Sequence, residues 1–65
     1  MHIFLNAQQV KLDKQLSLHE FLEQQNEQGT FAIAVNESFV PKTLYPETLL
    51  QNGDRIELVA PMQGG

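Results

Sequence analysis

The sequence predicts an α+β fold: a mixed sheet of four to five strands with one helix packed across one face. Three observations carry this reading. Short runs alternate in polarity, or are continuously apolar, and are bounded by turn residues. One stretch combines a helix-capping pattern with apolar residues at helical spacing. The segments follow the order β, β, α, β, β, short turn, β, for which a single helix laid over a sheet is the simple layered solution.

The elements follow in order. His2-Ile3-Phe4-Leu5-Asn6 is rich in β-formers and ends on a turn-favouring Asn, so it reads as a strand with Ile3 and Leu5 on one face. Ala7-Gln8-Gln9 is the expected connection, and Val10-Lys11-Leu12-Asp13 alternates again as the second arm of a hairpin. Ser17-Leu18-His19-Glu20 fits a capping box, and Leu16 and Phe21 occupy the two positions of a hydrophobic staple. Leu18, Phe21 and Leu22 form the apolar stripe, and Gly29 is a natural stop, so a helix of about three turns is expected over 17–28. Phe31-Ala32-Ile33-Ala34-Val35 reads as a central strand, with Phe31, Ile33 and Val35 toward the helix and the two alanines on the other face. Asn36-Glu37 is a turn, and Ser38-Phe39-Val40 a short edge strand stopped by Pro41. Pro46-Glu47-Thr48-Leu49-Leu50 suggests one helical turn, Gln51-Asn52-Gly53-Asp54 a tight turn, and Arg55-Ile56-Glu57-Leu58-Val59 the last strand. The expected division is a domain over 1–60 and a flexible tail over 61–65, with no internal repeat.

Composition narrows the function. The chain has 65 residues, no Cys, and 8 acidic against 4 basic side chains. Lack of Cys excludes disulfides, thiolate metal sites and a cysteine nucleophile. The acidic balance argues against general nucleic-acid binding. No apolar run is long enough for a membrane span and no secretory signal is visible, so a soluble, cytoplasmic protein is expected. A domain this small buries only about 60% of its unfolded surface, so a deep substrate pocket would compete with the core. A module that works by being bound is expected rather than an enzyme.

Few residues invite chemistry. His2 and His19 have no ligand spacing and read as solvent-exposed, no phosphate-binding loop is present, and no metal or cofactor site is expected on this chain. Glu20, Glu23 and Glu27 form a solvated helix face, which could also steer a basic partner. Gly64-Gly65 at the end is different. Two terminal glycines arise by chance in about one chain in 200. A frayed end is the plain explanation. Against it stands their place after the last strand: extended, 61–65 reaches about 17 Å beyond the sheet. A carboxylate on such a lead can enter a narrow channel in another protein, and Gly64 imposes no steric limit on attack at the Gly65 carbonyl. The carboxylate is ionised at neutral pH and a poor electrophile, so a partner must activate it, ordinarily by transfer to AMP from ATP. An amine would then give a conjugate, and a persulfide sulfur would lead to a thiocarboxylate.

Ala34-Val35-Asn36, Val40-Pro41-Lys42, Tyr45, Leu49, Gly53-Asp54-Arg55-Ile56-Glu57-Leu58-Val59 and Gly64-Gly65 together resemble the ThiS family, the sulfur carriers of thiamine biosynthesis, over nearly the whole chain. The resemblance implies a ubiquitin-like β-grasp fold with the first and last strands parallel at the sheet centre. It implies that an ATP-dependent adenylating enzyme of the ubiquitin-activating type charges Gly65, which becomes a thiocarboxylate. The sulfur would come from cysteine through a desulfurase persulfide, and thiazole synthase would accept it. Ala7 stands where the family's first turn commonly has Gly, and Pro61 resembles the tail of the molybdopterin-synthase small subunit.

Three alternatives remain open on the residues alone. A molybdopterin or tRNA-thiolation carrier would use the same chemistry. A protein modifier would use the same terminus. A non-catalytic docking or ligand-sensing module would make the glycines incidental. Partner docking is expected on the sheet face opposite the helix, through Phe4, Ala32, Ala34 and Val59, with Met62 on the tail; Phe4 and Val59 could instead belong to the core.

Overall fold

The structure is a computed structural model that describes residues 1–25 and 31–59. Strands β1 (His2–Leu5), β2 (Gln8–Lys11), β3 (Ala32–Val35), β4 (Ser38–Val40) and β5 (Arg55–Val59) form one sheet in the order β2-β1-β5-β3-β4. The last strand therefore sits in the middle. It runs parallel to β1, with Phe4 beside Arg55 and Leu5 beside Ile56, and antiparallel to β3, with Val35 beside Ile56 and Ala32 beside Val59. Helix α1 (Leu18–Gln24) covers one face. This is the expected mixed five-stranded sheet with one helix, with the expected parallel pair at its centre.

The helix forms for the reasons its sequence announces. The Glu20 amide donates to Ser17 Oγ at 3.1 Å, and Glu20 Oε1 accepts from the Ser17 amide at 2.9 Å. Two donors left over at a helix start are thus satisfied reciprocally. Leu16 and Phe21 are both buried, which completes the staple. Leu18, Phe21 and Leu22 pack with Ile3, Ile33, Leu50 and Ile56 into one core. The helix is shorter than expected: it ends at Gln24, with Gln25 as its cap, and 26–30, including Gly29, lie outside the described residues.

Two further local expectations need correction. The first hairpin turns on Asn6-Ala7 alone, and β2 begins at Gln8, where a three-residue connection over 7–9 was expected. Asn6 and Ala7 both adopt left-handed backbone, at φ 49° and 68°, so the two strands close without Gly. The single helical turn expected at 46–50 lies earlier, as a 3₁₀ helix over Lys42–Glu47 that contains Pro46. Thr48 caps its end through Oγ1 donating to the Leu44 carbonyl at 2.7 Å. Leu49 then bridges to Ser17 in an antiparallel arrangement, held by the Leu18 amide on Thr48 O and the Leu50 amide on Leu16 O. Buried Leu50 is thereby pulled into the core and leaves no room for a helix there.

The two hairpins are alike in backbone. Ile3-Phe4-Leu5-Asn6-Ala7-Gln8-Gln9-Val10 and Ile33-Ala34-Val35-Asn36-Glu37-Ser38-Phe39-Val40 fold into hairpins with the same register and the same pair of left-handed turn residues. Each turn asparagine also grips β5: Asn6 Oδ1 accepts from the Leu58 amide at 3.0 Å, and Asn36 Oδ1 from the Arg55 amide at 3.0 Å. Too few side chains are shared for the likeness to stand out in the sequence, but the backbone repeats.

The 51–54 turn is as expected. Gly53 carries the left-handed φ of 89° that an L-side chain would strain to reach, and Asp54 Oδ2 accepts from the Gln51 amide. The turn also holds the start of β1, through the His2 amide on Asn52 Oδ1 and the Gly53 amide on His2 O.

The capping box makes two predictions. Ser17→Ala should cost about 1 kcal/mol and lower the thermal midpoint by about 4–8 °C, read by circular dichroism. The Ser17 amide, and then its hydroxyl, hold the Glu20 carboxyl below its ordinary value of 4.5 against a small opposing effect of burial, with Lys14 and His19 adding to the lowering. A carboxyl lowered on folding stabilises fully above its unfolded pKa and loses that contribution as pH falls through the folded one. The difference in midpoint between wild type and Glu20→Ala should therefore be present at pH 7 and shrink below pH 4.5.

Candidate functional site

The residues that matter are those that β5 places. Its Ile56 and Leu58 turn toward the helix, so alternation sends Arg55, Glu57 and Val59 to the open face. On that face Val59 lies across from Ala32, Glu57 across from Ala34, and Phe39 flanks Ala34 from β4. Val59 is 61% exposed and Phe39 67%. The two alanines form a low floor between these taller apolar side chains. Ala32 is exposed and Ala34 half-buried. Neither Val59 nor Phe4 belongs to the buried core; Phe4 is half-buried on the open face.

Of the expected docking residues, the structure brings Ala32, Ala34 and Val59 together. It sets Phe4 apart, on the row of Arg55, with the row of Glu57 in between. Phe4 borders a depression of about 480 Å³ lined also by Ala7, Glu37, Arg55 and Glu57, where both hairpin turns approach β5. Its rim carries two carboxylates and one guanidinium, over a lining that is mostly apolar. Met62, Gly64 and Gly65 lie in 60–65, outside the described residues.

Phe39 was missing from the expected docking set. The signal was available: if Val40 turns inward beside Ile33, its neighbour Phe39 must turn outward. The edge strand was too short for the alternation to be read without its partner.

The remaining candidates stay bland. His19 is exposed and lies 3.4 Å from exposed Glu23 one helical turn on, and His2 is exposed at the start of β1. Glu20 and Glu23 face solvent; Glu27 lies outside the described residues. Among the described residues no three potential metal ligands gather, and no helix is long and apolar enough to cross a membrane. What the arrangement offers is a small apolar surface with a carboxylate beside it, on the strand that leads directly into the last six residues.

Comparison with known proteins agrees with this geometry. The sulfur carrier protein ThiS of Escherichia coli (strain K12) is 33% identical over 66 residues, covering all of both chains. The crystal structure of a thiamine biosynthesis protein (ThiS) from Geobacter metallireducens superposes with a TM-score of 0.88 at 20% identity, over the whole of both chains. A solution structure of a thiamine biosynthesis protein from the same organism gives 0.80 over all of this chain and 88% of the other. These two establish the ubiquitin-like β-grasp fold. The family model for ThiS matches residues 3–65, from the first strand through both final glycines, and on that match the chain belongs to the ThiS family.

Proposed function

We propose that this protein is a sulfur carrier of thiamine biosynthesis, a co-substrate of other enzymes and not a catalyst itself. The observation that carries the reading is the family match, which runs through Gly64 and Gly65 and so includes the residues the chemistry needs. The E. coli relative, matched over its full length, is named a sulfur carrier.

The chemistry we assign to Gly65 proceeds in balanced steps. Its carboxylate oxygen attacks the α-phosphorus of ATP in an adenylating partner, and pyrophosphate leaves. The terminal sulfur of a persulfide, drawn from cysteine by a desulfurase, attacks the acyl carbon and displaces AMP. A second thiol then cleaves the resulting acyl disulfide at the cysteine sulfur and leaves the thiocarboxylate on Gly65. Gly64 keeps both attacks free of side-chain obstruction. Thiazole synthase takes the sulfur. ATP is consumed in the partner, and the chain leaves it with the thiocarboxylate as its covalent modification. We place the exchange in the cytoplasm, where ATP and reduced sulfur are supplied.

We assign docking to the open sheet face: Ala32, Ala34 and Val59 at its centre, Phe4 at its margin, Met62 on the tail, and Phe39 as the additional anchor. Exposed apolar side chains grouped in this way are what a partner surface requires. The family match and the parallel course of β5 into the tail favour this reading over a docking module in which Gly65 is idle.

Three outcomes are expected. With ATP, the adenylating enzyme and a sulfur source, intact mass should rise by one oxygen-to-sulfur exchange, lost when Gly64 and Gly65 are deleted from a domain that stays folded. An unchanged mass with the cognate enzyme refutes the carrier role. Adding one residue after Gly65 should abolish the exchange, whereas a mere docking module would be unaffected. Phe39→Asp should reduce the rate of activation about tenfold or more, as loss of a buried interface anchor does, with the thermal midpoint little changed because Phe39 is exposed.

A further inference from the structure

The two hairpin asparagines make the same kind of bond at opposite ends of β5, and this asymmetry of place carries an inference. β1 pairs with β5 only as far as Leu5 and Ile56, and the last backbone bond between them is the Asn6 amide on Ile56 O at 2.8 Å. Beyond that point β1 has turned away into its hairpin. β3 continues alongside β5 to Val59, so the end of β5 has a strand on one side only. On the other side the next rung of the ladder, the Leu58 amide, is taken by the side chain of Asn6 at 3.0 Å. Asn36 makes the equivalent bond to the Arg55 amide, where β5 begins, and its Nδ2 also donates to Asp54 Oδ1.

We infer that Asn6 is a positioning residue for the carrier reaction. It substitutes for the missing length of β1, keeps Leu58 and Val59 in the sheet, and so fixes the direction in which the following residues leave for the partner. Asn36, its structural twin, fixes the other end and contributes to stability alone. The inference rests on the reading that Gly65 receives the sulfur. The left-handed backbone at both positions lets the two roles be separated. Glycine keeps that conformation at no steric cost and removes the side-chain acceptor, and at position 36 the Nδ2 bond to Asp54 as well. Aspartate tolerates the same backbone and restores an acceptor.

The test compares Asn6→Gly, Asn36→Gly and Asn6→Asp with wild type, using full-length protein, ATP, the adenylating enzyme and a persulfide donor. Loss of one hydrogen bond is worth roughly a two- to tenfold change in a local opening equilibrium. Asn6→Gly should speed hydrogen exchange at the Leu58 amide by that factor and leave Arg55 protected; Asn36→Gly should do the reverse. Asn6→Gly should lower kcat for thiocarboxylate formation by roughly two- to tenfold, with KM for the carrier unchanged because Ala34 and Phe39 are untouched. Asn36→Gly should leave kcat at the wild-type value, and Asn6→Asp should restore it. Equal kcat for both glycine variants overturns the inference, as does a Leu58 amide indifferent to Asn6. Failure of wild type to accept sulfur refutes the carrier reading instead, and the exchange measurement on the isolated protein still tests the bond itself. Should Asn6→Gly not fold, wild-type kcat with Asn6→Ser, whose hydroxyl is too short for this rung, would equally overturn it.

Discussion

The fold depends on one pairing: the last strand lies between the first and the third, parallel to one and antiparallel to the other. Neither hairpin is stable alone, because two strands bury too little. β5 joins them, and Ile56, between Leu5 and Val35, makes one continuous apolar floor with Ile3 and Ile33 for Leu18 and Phe21. Pairing across so much of the chain must recover a loop-closure entropy that local contacts do not incur. Backbone bonds alone do not complete the join. Both hairpin asparagines lend side-chain oxygens to amides of β5, so the turns that close the hairpins also fasten the central strand.

The same arrangement separates the tasks of the two faces. One face is filled by the helix, the 3₁₀ segment and the bridge at Leu49, and it provides the stability. The other has small or exposed side chains at its centre and carries no buried obligation, so it is free to meet another protein. The core takes most of the large apolar side chains, and the hollow beside Phe4 lies on the other face.

Much of this was legible in the residues. Ser17, Glu20, Leu16 and Phe21 announce the helix start because capping is local, and its distances depend on nothing far away. Alternation at Ile33 and Val35, and the Asn52-Gly53 turn, are likewise settled by neighbours. What escaped depended on distant partners. Asn6-Ala7 takes a turn that favours glycine because Asn6 gains bonds to Ile56 and Leu58. The 48–50 stretch extends because Leu16 and Leu18 pair with it. Phe39 faces outward because Ile33 sits across from Val40. For the site, the face holding Ala32, Ala34 and Val59 followed from strand period, whereas Phe39 and the separation of Phe4 needed the strand order.

The parallel course of β1 and β5 places Met1 and His2 at the pole opposite Val59. Met1 and His2 lie beside the 51–54 turn from which β5 starts, while Val59 points away from it. A bead, dye or affinity handle joined ahead of Met1 would therefore hang from the far side of the molecule. Immobilised in that manner, the protein would keep Val59 and its neighbour Ala32 clear of the support.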